Sequence, residues 1–91
     1  MRWLRNPMTL SRPEPRTLAA GQIRIELSHN GRVMIGHLLN VSPHGFAIHY
    51  YDDQLHPNQQ VSVLYEWGNA PARVVWVERK SDHMVAGFRT D

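Results

Sequence analysis

The chain has 91 residues, 42% of them apolar and 20% charged, with no cysteine and a formal net charge of +2. That length holds one core and not two, and the missing cysteine removes disulfides, thiol chemistry and cysteine-ligated zinc. No run of about 18 apolar residues occurs, so no membrane span is expected.

Residues 1–16 show neither a helical nor a strand period, and Pro7, Pro13 and Pro15 interrupt any regular element. The segment predicts an extended arm ahead of a domain at 17–91. Four arginines stand against Glu14 in the arm, a net +3, whereas residues 17–91 carry six basic and seven acidic side chains, a net −1. Arg2 and Arg5 open the chain without the apolar stretch of a signal peptide, and a cytoplasmic location is the expectation.

Alternation starts after Ala20. Ile23, Ile25 and Leu27 point one way, with Arg24 and Glu26 the other, as in a half-buried strand. Asn30-Gly31 is a hairpin signal, and the chain returns through Val33, Ile35 and Leu38-Leu39. Residues 40–45, NVSPHG, have the composition of a turn. Phe46, Ile48 and Tyr50 alternate with Ala47 and His49, and residues 51–60 are polar enough for a loop. Val61, Val63 and Tyr65 form a further strand that ends at Gly68-Asn69. Val74 and Trp76 alternate with Val75 and Val77, and Met84, Ala86 and Phe88 close the series. The pattern predicts an all-β protein: a small six-stranded antiparallel barrel behind an extended N-terminal arm. Closure would remove the exposed edges of a short open sheet.

Two short motifs carry chemistry. In the arm, Arg12 and Arg16 flank Pro13-Glu14-Pro15. Guanidinium groups offer planar donor forks that fit phosphate and the O6/N7 edge of guanine. In NVSPHG, Asn40 supplies an amide that donates and accepts, Ser42 a hydroxyl, and Gly45 a place where a ligand could approach the backbone. His44 lies inside this motif, within reach of a ligand there. Taken alone, each motif also reads as a basic tail or as ordinary turn chemistry.

Together and in this order, the Arg-x-x-x-Arg and Asn-x-Ser-x-x-Gly elements resemble the signature of the PilZ domain family. The later stretch ARVVWVERKSDHMVAGFR is similar to the closing strand pair of that family. The resemblance implies a six-stranded barrel that binds the bacterial second messenger cyclic di-GMP. Arg12 and Arg16 would wrap over the ligand, while Asn40, Ser42 and Gly45 would hold it from the barrel. Ser11, before the first arginine, occupies a position where the family often has another arginine. The implied protein is a receptor or adaptor that changes conformation on binding and signals to a protein partner. It has no cofactor beyond this ligand and no catalytic residues. The alternative is a PilZ-like interaction module that no longer binds nucleotide.

The remaining features read more plainly. His29, His37, His44, His49, His56 and His83 lack metal-ligand spacing, and no metal is expected. Trp67 and Trp76 read as packing in the core or at a barrel end. Trp3, an aromatic in the arm, suggests docking on a partner or on a second copy in a homodimer. The net −1 of the globular part argues against a single-stranded nucleic-acid groove.

Overall fold

A computed structural model describes residues 17–51 and 54–90. These residues form seven strands: β1 (Thr17–Leu18), β2 (Gln22–Leu27), β3 (Val33–Ser42), β4 (Gly45–Tyr50), β5 (Gln60–Tyr65), β6 (Gly68–Arg79) and β7 (Met84–Arg89). Among the described residues there is no helix. Every pairing is antiparallel, in the order β1-β3-β2-β5-β6-β7-β4. A further β3–β4 pairing closes the sheet on itself. The result is the expected six-stranded antiparallel barrel with one short extra strand.

Period-2 alternation sets the inner face. Ile25, Leu27, Phe46, Ile48, Tyr50, Val61, Val74, Ala86 and Phe88 form its buried cluster. Phe46 and Phe88 stack with ring centroids 4.7 Å apart. Leu55, on the loop between β4 and β5, is buried in the same core. The loop is tied to β6 by Asn58 N–H donating to Val74 C=O at 2.7 Å and Val74 N–H donating to Gln59 C=O at 3.0 Å.

Several sequence expectations shift. Val33 and Ile35 point outward and are about half exposed, while Met34 is buried. The register Ile25↔Met34 causes this, because opposed residues share a face and Ile25 faces inward. Asn40 to Ser42 belong to β3, so the turn is only Pro43-His44. Gly68-Asn69 do not end a strand: they begin the 12-residue β6, and Glu66-Trp67 make the turn. The Asn30-Gly31 hairpin exists, but five residues separate β2 from β3, with Arg32 N–H donating to Asn30 Oδ1 at 2.9 Å.

Candidate functional site

A β-bulge decides where the Asn-x-Ser-x-x-Gly motif points. In the β3–β4 ladder, Leu38 opposes Ile48 but Asn40 opposes Ala47, so Leu39 is an extra residue. Were Leu39 an ordinary member of the ladder, strict alternation would place Asn40 on the face of Leu38, which packs against the core. The bulge turns Asn40 and Ser42 to the outer face. Val41 keeps its contact with the core.

A second bulge does the same in β6. Val74 opposes Phe88 and Trp76 opposes Gly87, leaving Val75 as the extra residue. Val74 is buried, while Val75 and Trp76 are both exposed. Trp76 therefore packs outside the barrel, over Gly87, and not in the core or at its end. A Cβ at Gly87 would collide with the indole, meeting Cζ2 at 2.8 Å.

These two residues lie in one row across four strands. Asn40 opposes Ala47, Ala47 opposes Gly87, and Gly87 opposes Trp76. Opposed residues share a face, and adjacent strands lie about 4.8 Å apart, so the row spans about 14 Å from amide to indole. Its middle carries only a methyl group and a hydrogen. Beyond Asn40 the row continues to Leu18 of β1, which is 89% exposed. β1 pairs with β3 at Thr17↔Val41 and Leu18↔Asn40, beyond the stretch that pairs with β2. The chain following Arg16 is thus hydrogen-bonded beside the second motif. Ser11, Arg12 and Arg16 lie outside the described residues, as does the rest of the 1–16 segment.

The next row holds Ser42, Gly45, Arg89, Arg73 and Gln60, each opposite the next. Ser42 Oγ–H donates to the Gly45 carbonyl at 3.4 Å. Gly45 does not have a positive φ. Its missing Cβ instead makes room for the Phe88 carbonyl oxygen, so the glycine answers first to strand packing. His44 is exposed in the turn, and its carbonyl accepts Thr90 N–H at 2.9 Å. At the barrel end beside Ser42 and Gly45, an apolar depression of about 330 Å³ is lined by Ile23, Leu38, Val41, Phe46 and Val63, among others. Trp67 sits in the β5–β6 turn, 82% exposed, and meets Tyr65 edge-on at 5.8 Å, so it is not a core residue.

On the other side of the Asn40 row stands a group of histidines. His37 and His49 are opposed and stacked at 5.0 Å, and His83 meets His49 edge-on at 5.5 Å. His83 Nδ1–H donates to Asp82 at 2.6 Å. That hydrogen bond, and the charge of the same ring, lower the Asp82 carboxyl below its ordinary value. Among the described residues no group of His, Asp or Glu side chains is placed to hold a metal ion.

The outer face thus combines a polar amide, a floor of small residues, an aromatic plate and two cations on one wall of a small barrel. That defines a surface-binding β-barrel module. The sequence model described as the PilZ domain matches residues 11–91, and the chain belongs to that family. No curated protein matches it. Sequence reading missed Trp76, Gly87, Arg73 and Arg89 as neighbours of the motif. Only the strand register brings them there, and no local spacing signals it.

Proposed function

We propose that the chain is a cyclic di-GMP receptor that reads the ligand on the outer face of β3, β4, β7 and β6. One observation carries this reading: Asn40 and Trp76 end a single outward row floored by Ala47 and Gly87. A flat base can lie on such a floor, with its hydrogen-bonding edge at Asn40 and its face toward the indole. Membership of the family and the Arg12/Arg16 spacing supply the rest. The guanidinium groups would bind phosphate and guanine, and charge-assisted contacts of that kind are about twice as strong as neutral ones.

The placement of β1 supports coupling. Thr17 and Leu18 are paired to Val41 and Asn40, so a ligand held by Arg12 and Arg16 would act on a chain already anchored at the motif. Ordering the arm would cost roughly 1–2 kcal/mol per fixed backbone residue, and Pro13 and Pro15 reduce that cost by limiting the free arm. The changed surface would engage a protein partner in the cytoplasm. No helix among the described residues is long and apolar enough to cross a membrane. The protein would act as a receptor without catalysis.

Calorimetric titration with cyclic di-GMP tests the reading, with GMP and cyclic AMP as controls. Saturable heat with the cyclic dinucleotide alone, greatly weakened by Arg12→Ala or Arg16→Ala, supports it. Absence of binding at low salt rejects it. The exposed Trp67 and Tyr65 favour a second reading, an interaction module without nucleotide. In that case amide spectra of residues 10–18 and 40–45 stay unchanged on adding nucleotide, while a protein partner is captured.

A further inference from the structure

The apolar depression at the barrel end, about 330 Å³, lies among Ile23, Leu38, Val41, Phe46, Val63 and Tyr65. That volume suits one small ligand or one or two large side chains. β1 leads to its rim. Leu18 opposes Asn40 and Thr17 opposes Val41, so each step back along β1 is a step forward along β3, toward Ser42. Val41 and Ser42 both line the depression. Opposed residues share a face, so Thr17 stands on the side of Val41, which packs against the core. The chain before Thr17 therefore joins the barrel beside this depression. Sixteen residues precede that point, and the first ten include Met1, Trp3, Leu4, Met8 and Leu10 and no acidic residue. Apolar and aromatic side chains at that density are not the composition of a solvated tail. The charges match as well. Arg2 and Arg5 flank Trp3-Leu4, and the exposed Glu66 follows Tyr65 at the rim.

We propose that Trp3 and Leu4 of the same chain fill this depression and cap the barrel. This docking is independent of the nucleotide reading. The stretch from Thr17 back to Trp3 spans at most about 50 Å when extended. The depression begins at the residue opposite Thr17, so length does not limit the contact. A tethered segment also meets its site at an effective concentration in roughly the millimolar range. A contact too weak to hold a separate peptide therefore suffices. Trp3 is the largest apolar side chain of the segment, and a buried indole removes about 150–250 Å² from water. Its N–H can stay at the rim, and Leu4 fills the space beside it. Arg2 and Arg5 then remain in water near Glu66. Docking has a consequence for the arginine motif. With Trp3-Leu4 seated and Thr17-Leu18 paired, Arg12 and Arg16 lie in a loop held at both ends. A ligand that these arginines grip meets an arm whose closure entropy is already lost.

NMR of the full chain, with labelled Ile, Leu and Val methyl groups and no ligand, tests the docking. Nuclear Overhauser contacts are expected between the Trp3 indole and the methyls of Ile23, Val41 and Val63. Trp3→Ala should shift those methyls and leave Ile35, which points outward, where it is. Its melting temperature should fall by a few degrees. Trp3→Phe should keep ring contacts to the same methyls. Because Trp3 precedes the barrel strands, its replacement leaves the fold intact and the readout clean. Absence of contacts from the indole overturns the proposal, as do methyl shifts unchanged in Trp3→Ala. A mixture of labelled and unlabelled chains identifies the occupant. Contacts between the two kinds of chain would seat the arm of a second copy and overturn docking within one chain. No nucleotide enters the experiment. Failure here therefore leaves the receptor reading standing, and a failed cyclic di-GMP titration leaves the docking standing.

Discussion

The Trp76 indole covers Gly87, the residue directly opposite it on β7, so closely that no side chain fits between them. Gly87→Ala would force the indole aside. The ring is 39% exposed and can swing outward, so the expected cost in stability is about 1–3 kcal/mol and the barrel survives. The Trp76 indole N–H resonance should move, and ligand binding should weaken. An unchanged resonance would show that the ring does not rest where the structure has it.

Gly45 makes a harder constraint. Its Cβ would meet the Phe88 carbonyl, which is backbone and cannot rotate away. Gly45→Ala should therefore part β4 from β7 and lower the melting temperature more than Gly87→Ala does. Comparing the two melting curves checks the order.

At Asn40 the prediction concerns the ligand edge it meets. The Watson–Crick edge of guanine presents neighbouring N–H donors, and a carboxylate accepts both. Asn40→Asp should bind cyclic di-GMP at least as tightly as wild type. Asn40→Ala should lose about 0.5–1.5 kcal/mol of binding, the net worth of a typical hydrogen bond. Paired titrations measure this, and weaker binding by the aspartate would place a different group against Asn40.

Leu55 is the core residue that the loop contributes, and it is 1% exposed. Leu55→Ala should cost about 2–5 kcal/mol of stability. Because Leu55 is not among the residues of the outer rows, affinity measured well below the melting temperature should be unchanged. Denaturant unfolding supplies the first number and titration the second.

Asp82 offers a pH prediction. Its carboxyl is lowered by the hydrogen bond and charge of His83. A depressed folded-state value means that the pair favours the fold above the ordinary carboxylate range. That contribution is lost as pH falls through the lowered value. The side chain is in water, so the effect on stability should be negligible. The signature is local: the Asp82 carboxyl carbon should titrate below the ordinary range by NMR and return to it in His83→Gln.

Much of the barrel was legible from alternation. Ile23, Ile25 and Leu27, and then Phe46, Ile48 and Tyr50, face inward as their spacing requires. Val33-Met34-Ile35 could not be phased this way, since all three are apolar and only pairing with Ile25 selects Met34. Trp76 was misplaced because a bulge changes phase without changing composition. Leu55 was hidden as a single apolar residue in a polar loop. Asn40 and Ser42 could be found by spelling, but their outward aim depends on Leu39 standing outside the ladder, which no motif signals. Arg73 and Arg89 are 16 positions apart in sequence and meet only through register.

The two bulges have a genetic consequence. Asn40 and Trp76 each follow a strand's single supernumerary residue, Leu39 in one case and Val75 in the other. Losing the codon for either one would make Leu38 and Asn40, or Val74 and Trp76, consecutive in an unbroken ladder, so both ends of the platform would keep their outward aim. For this protein, in-frame deletion of Leu39 or Val75 should therefore be better tolerated than deletion of a residue that is paired on both sides, such as Ile25. A single-codon deletion scan along β3 and β6 would show Leu39 and Val75 as the sites where losing a residue does least harm.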